Sequence, residues 1–178
     1  MTMDTRWEDI NTLLVRSERT QDEKLVKAVR EVADARFQFP TPQHASFRTH
    51  INVPDVTMAV QVGDEEIAPS IVVVEKLNTG KTVLVMTAEV CSPEMVNDGE
   101  AKQRWARMAS IPDQAFYLYV PVGFGAEAKK ICRRLGISTE GVRTWRHTPR
   151  GFEVNDVSEN NPLAPLMPPI VRKLLSTP

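Results

Sequence analysis

Apolar residues recur with helical spacing through the first part of the chain. Trp7, Ile10 and Leu14 share one face, and Leu25, Val29, Val32 and Arg36 continue that spacing. The pattern predicts helix over about 4–37, with a break in the polar stretch 17–22, ended by Phe39-Pro-Thr-Pro42. Alternation then replaces the helical period. Phe47, Thr49, Ile51 and Val53, followed by Val56, Met58, Val60 and Val62, read as strand interrupted at Pro54-Asp55, with a turn at Gly63-Asp-Glu-Glu66. Residues 70–76 and 82–90 predict a hairpin closed through Asn78-Thr-Gly80. Ala101, Trp105 and Met108 form the inward stripe of a helix over about 97–109. Ala115–Val120 is apolar on both faces, as a central strand covered on two sides must be. A helix over about 126–135 ends at Gly136, and strands at about 142–147 and 151–154 follow. The expected fold is α/β. It has a mixed central sheet of about five strands, a long N-terminal helix on one face and shorter helices on the other. Residues 1–157 are expected to form one domain, and 158–178 a Pro-rich C-terminal tail.

One residue breaks the hydropathy pattern. Glu89 sits near the end of Thr82-Val-Leu-Val-Met-Thr-Ala-Glu-Val90, a run too apolar for a surface strand. A carboxylate buried there needs a cation, a metal or hydrogen-bond donors to offset its lost hydration. Two readings stay open: Glu89 marks a functional site, or it caps the next helix or pairs with an arginine.

Composition narrows the setting. The chain has 178 residues and a formal net charge of -1, so nucleic-acid binding requires a local basic patch. No apolar run approaches the roughly 18–20 residues of a membrane span. The N-terminus is acidic and polar, unlike a signal peptide. Cys91 and Cys132 are far apart and read as reduced thiols, which points to a cytoplasmic protein. His44, His50 and His147 show no zinc spacing.

The order strand, turn, strand with a terminal acid, helix, strand, over about 69–121, resembles the PD-(D/E)xK superfamily, the restriction-endonuclease-like fold. The residues that carry the resemblance are Pro69-Ser70 at the start of one strand and Ala88-Glu-Val-Cys-Ser-Pro93 at the end of the next. It is nearest to bacterial members whose third strand ends in an acid before a Ser-Pro turn. The resemblance implies a metal-dependent nuclease acting on DNA with Mg²⁺ or Mn²⁺, Glu89 holding the metal. Ser70 stands at the place of the first acid and Cys91 at the place of the lysine. Lys102, on the following helix, is the implied replacement for that lysine. Glu66, or its neighbours Asp64 and Glu65, is the candidate second metal ligand; Glu23 and Glu31 are candidates from the leading helix. Because Ser70 and Cys91 depart from the motif, the alternative is a non-catalytic nucleic-acid-binding or protein-interaction module on the same fold.

Lys129, Lys130, Arg133 and Arg134, with Arg143, Arg146, His147 and Arg150, form two basic clusters. Facing the same way, they would make a phosphate-binding surface; paired with acids, they would be an ordinary solvated face. Lys130, Arg143, Arg146 and Arg150 are the candidate nucleic-acid contacts. Trp145 reads as core packing before base stacking. Gly123-Phe-Gly125 is similar to a phosphate loop but lacks the third glycine and the lysine, and reads as a tight strand-to-helix turn. DNA is the expected partner and a homodimer the expected assembly, with Leu163, Leu166 and Ile170 of the tail as candidate docking residues.

Overall fold

A computed structural model describes residues 22–157. The expectations for the Trp7 segment and for the tail from 158 lie outside the described residues. Helix α1, Glu23–Arg36, starts where Asp22 accepts hydrogen bonds from the amides of Lys24 and Leu25. Those bonds satisfy donors that the first helical turn leaves without partners. Leu25, Val29 and Val32 are buried, as their spacing requires. At the other end, Arg36 donates to the carbonyl of Val154 and ties α1 to the far side of the sheet.

The strands are β1 (Phe47–Ile51), β2 (Val60–Val62), β3 (Glu65–Ile67), β4 (Ile71–Lys76), β5 (Thr82–Val90), β6 (Ala115–Pro121), β7 (Gly141–Thr148) and β8 (Gly151–Asp156). Six form one mixed sheet in the order β1-β4-β5-β6-β7-β8, and β2 and β3 form a separate antiparallel pair. The pairings β5–β6 and β6–β7 are parallel; the other pairs of this sheet are antiparallel. The α/β class is as expected, and the strand count differs. The alternating stretch 47–62 is two strands in two sheets. Glu65 and Glu66, read as a turn, lie in a strand, because exposed acids on a short hairpin carry the same polar signature as a turn.

After β5, a short 3₁₀ turn at Pro93–Met95 leads to helix α2, residues 98–109. It opens with Asp98–Glu100, passes through a π turn at Ala101–Trp105 and closes with Ala106–Ala109. Helix α3 is Gly125–Leu135, ended by Gly136 in the left-handed conformation. Strand alternation explains the layering. Ala88 and Val90 lie level with Tyr117 and Tyr119, and Phe37, just past α1, meets both tyrosine rings edge-on. Helix α1 therefore covers that face. Thr87 and Glu89 point the opposite way, to the face covered by α2 and α3.

The two glycines before α3 do different work. Gly123 has φ 97°, which a side chain rarely adopts. Gly125 sits where a Cβ would stand 2.6 Å from Val157 and 3.0 Å from Thr144. The sequence Gly-Phe-Gly thus lets α3 dock closely on β7. Gly125→Ala is expected to lower unfolding stability by about 1–3 kcal/mol, because two stiff β-branched side chains must move. Denaturant unfolding checks this; an unchanged midpoint would show that the contact yields freely.

Candidate functional site

Glu89 is 1% exposed, on the last turn of the pleat before β5 leaves the sheet. Both carboxylate oxygens are engaged. Oε1 accepts from Arg104 Nε at 2.7 Å. Oε2 accepts from the Ser70 amide at 3.0 Å and from the Ser70 hydroxyl at 3.2 Å. Ser70 Oγ in turn accepts from the Val90 amide at 3.0 Å. Register accounts for the meeting: Ile71 pairs with Ala88, which brings Ser70 opposite Glu89.

Arg104 arrives from the π turn of α2. Its Nη2 donates to the carbonyl of Ala68 at 2.8 Å, so one guanidinium joins α2, the end of β5 and the segment leading into β4. Burial opposes its charge, but the nearby Glu89 carboxylate outweighs that, with help from Glu100, and the Arg104 pKa lies above its ordinary value. The arginine is therefore a fixed cation. Asn52 extends the network. It is 4% exposed, donates to the carbonyls of Met58 and Pro69, and accepts from the amides of Thr57 and Met58.

A cleft of about 60 Å³ opens beside the pair, with Leu25 and Val29 of α1, Val53, Val56 and Met95 among its walls. That is room for about two waters, far below the several hundred Å³ of a small-molecule pocket. Glu89 is the one acid among the lining residues. Among the described residues, no group of three His, Cys, Asp or Glu side chains is placed to hold a metal ion. The donor set does not fit Mg²⁺ or Mn²⁺, which need several free oxygen ligands. Here a guanidinium already stands against the carboxylate.

The other candidate residues are dispersed. Lys102 is exposed on α2, two residues from the arginine that reaches Glu89. Glu66 is exposed on β3, and its neighbour Glu65 pairs with Arg107 of α2. Glu23 is exposed in the first turn of α1, and Glu31 faces His147 at 3.2 Å. Cys91 is fully buried in the core. The Cys132 thiol is pushed up to about 11 by burial and is protonated at neutral pH. Trp145 packs against the core, stacks on Phe152 and donates to the carbonyl of Cys91.

The late basic residues do not share one face. Arg143 and Arg146, three positions apart on β7, point to opposite sides of the sheet. Each pairs with an acid across the β7–β8 ladder: Arg143 with Asp156 at 2.6 Å, Arg146 with Glu153 at 2.6 Å. Arg143 also donates to the Tyr119 hydroxyl and lies 4.9 Å from the Tyr117 ring centre. Burial raises the Tyr119 pKa even though Arg143 pulls the other way. Arg150 lies in the β7–β8 turn, and Lys130 is on α3. No helix among the described residues is long and apolar enough to cross a membrane.

Arg104 is the residue that sequence reasoning undervalued. The resemblance draws attention to Lys102 on the same helix. Arg104, three residues after Ala101 and four before Met108, borders the buried stripe of α2, at a π turn in which the Ala106 amide bonds to the Ala101 carbonyl. The only available signal was the general one, that a buried strand-end carboxylate requires an arginine or its equivalent.

If the pair is structural, removing either partner destabilises the fold. Arg104→Met strands a buried carboxylate and is expected to cost about 3–5 kcal/mol. Glu89→Gln leaves a guanidinium that is 21% exposed and can hydrate, so a loss of about 2 kcal/mol is expected. The double variant is expected to lose less than the sum, as contacting residues do. Denaturant unfolding of the four proteins measures the coupling; a stabilising Glu89→Gln would mean the acid is held against the interests of the fold. Comparison of the chain with protein-family models, with curated proteins and with solved structures finds no match.

Proposed function

We propose that this chain is a non-catalytic nucleic-acid-binding module on a restriction-endonuclease-like scaffold. The observation that carries the non-catalytic part is the engagement of both Glu89 oxygens by Arg104 and Ser70. A metal-dependent phosphodiesterase needs that acid to give its lone pairs to a divalent cation, with a second carboxylate beside it. Here the neighbour is a serine, and the cation is covalently part of the chain. Metal-dependent cleavage, the activity that the resemblance implies, would require Arg104 to leave a site it fills with two hydrogen bonds.

The scaffold reading is supported by element order. Helix α1 and strands β1, β4 and β5 are followed by α2 and β6, with β5 and β6 parallel and the small β2–β3 pair inserted before β4. That is the succession the resemblance implies, with the acid at the end of the third strand. The nucleic-acid reading is supported by Lys129, Lys130 and Arg133, which share one face of α3; the β7 arginines, paired with acids, do not add to it.

Two measurements test the proposal. Calorimetric titration with Mn²⁺ is expected to give no binding heat for the wild type or for Glu89→Ala. Labelled single-stranded and duplex DNA are expected to stay intact with Mg²⁺ or Mn²⁺, while at least one is bound in EDTA. Mn²⁺ binding that disappears in Glu89→Ala would overturn the non-catalytic part. Absence of any DNA binding would overturn the nucleic-acid part.

A further inference from the structure

A second hollow on the described surface lies away from Glu89, toward the β7 side of the sheet. It is an open groove of about 1040 Å³ between α3 and the start of β7. One wall is a single helical face: Ala126, Lys129, Lys130 and Arg133 follow the spacing that aligns side chains along a helix. The other wall is the backbone and side chains of Gly141–Arg143, with Asp156 and Val157 from the end of β8. Cys132, Ile137 and Val142, all buried, contribute an apolar floor. Ser138 and Thr139 supply hydroxyls at one end.

The charges divide into fixed and available groups. Arg143 is held by Asp156 and Tyr119, and Lys129 donates to the carbonyl of Val157 at 2.6 Å. Arg133 is exposed, and Lys130 is 69% exposed with a loose 3.9 Å approach to Glu127. Lys130 and Arg133 thus stand at the rim with hydrated cations, whereas Arg143 and Arg146 are occupied by acids. An anion that follows the helix would meet Lys130, Arg133 and, below them, Lys129. The acids Glu140 and Asp156 lie on the opposite side and accept hydrogen bonds only, as suits the amino and hydroxyl groups of bases and sugars.

We infer that this groove is a binding site for a single strand of nucleic acid, with phosphates on Lys130 and Arg133 and the less polar side of the strand toward the apolar floor. Sites for a single strand combine a cationic groove along the backbone with a less polar surface, usually aromatic, for the bases; here Cys132, Ile137 and Val142 stand in that second place. A volume of about 1040 Å³ accommodates a few nucleotides; a duplex would have to rest on the rim. The inference rests on the nucleic-acid reading above and adds the place and the strandedness. It assigns no role to the Glu89–Arg104 cleft.

The experiment is fluorescence anisotropy of a labelled 12-nucleotide single-stranded DNA in EDTA, with a labelled duplex of the same sequence alongside. The full chain is compared with Lys130→Glu/Arg133→Glu and with the milder Lys130→Gln/Arg133→Gln. Both positions are exposed, so circular dichroism is expected to be unchanged, with the thermal midpoint of the glutamine variant near wild type and that of the charge reversal slightly lower, since acids near a helix C-terminus oppose its dipole. The single strand is expected to bind more tightly than the duplex, and two phosphate contacts predict a log–log salt slope of about -1.4. Charge reversal is expected to weaken binding at least tenfold and to flatten that slope, with the glutamine variant between. Wild-type affinity in both variants would overturn the groove while leaving the nucleic-acid reading in place. Equal or tighter duplex binding would overturn the single-strand preference. No binding by the wild-type chain would remove the groove and the reading together.

Discussion

A carboxylate buried at the end of a central strand constrains everything around it. Glu89 lies where the sheet meets α1, α2 and the segment entering β4, and its charge cannot be left unpaired there without a loss of several kcal/mol. The chain answers with Arg104 on one oxygen and Ser70 on the other. Because Arg104 also holds the Ala68 carbonyl, and Asn52 holds that of Pro69, the carboxylate becomes the centre of a network joining four segments. The position of α2 on the sheet follows from that network as much as from the Trp105 and Met108 stripe.

The same arrangement decides what chemistry is available. Hard cations bind where oxygen lone pairs converge unopposed, and here a guanidinium and two serine donors converge first. Removing the acid would leave Arg104 without its ion-pair partner, and removing the arginine would leave the acid bare. A site of this kind resists gradual change, since neither member can be replaced alone without a stability loss. Its behaviour is that of a structural centre.

Away from this centre, the basic side chains sort by what they touch. The β7 arginines face acids on β8 across an antiparallel ladder, where opposite charges stabilise the pairing of two strands. On α3, Lys129, Lys130 and Arg133 line an open groove instead, while Arg134 pairs with Asp98 of α2. The sequence left open whether these two clusters face the same way. The period of two on β7 and the helical period on α3 separate them in space.

Much of the architecture was legible from the sequence. Strong periodicity set α1 from its capped start, the β4–β5 hairpin, the doubly covered β6, and α3 with its Gly136 stop. These are local signals, and burial of the patterned residues bears them out. The α/β class and the placement of α1 opposite α2 and α3 follow from which faces are apolar. Glu89 also stood out, because a charge in an apolar strand is an anomaly of pattern. What the pattern could not supply was its partner. Which side chain reaches a carboxylate 15 residues away depends on how α2 docks on the sheet and on the β4–β5 register, and neither leaves a mark on hydropathy. The split of 47–62 between two sheets was likewise hidden, because alternation records a strand's faces and says nothing of its neighbour. Sequence alone therefore determined most of the elements and the one charge that needed an answer; only tertiary packing decided that the answer is an arginine, because long-range contact, unlike periodicity, is set by three-dimensional proximity.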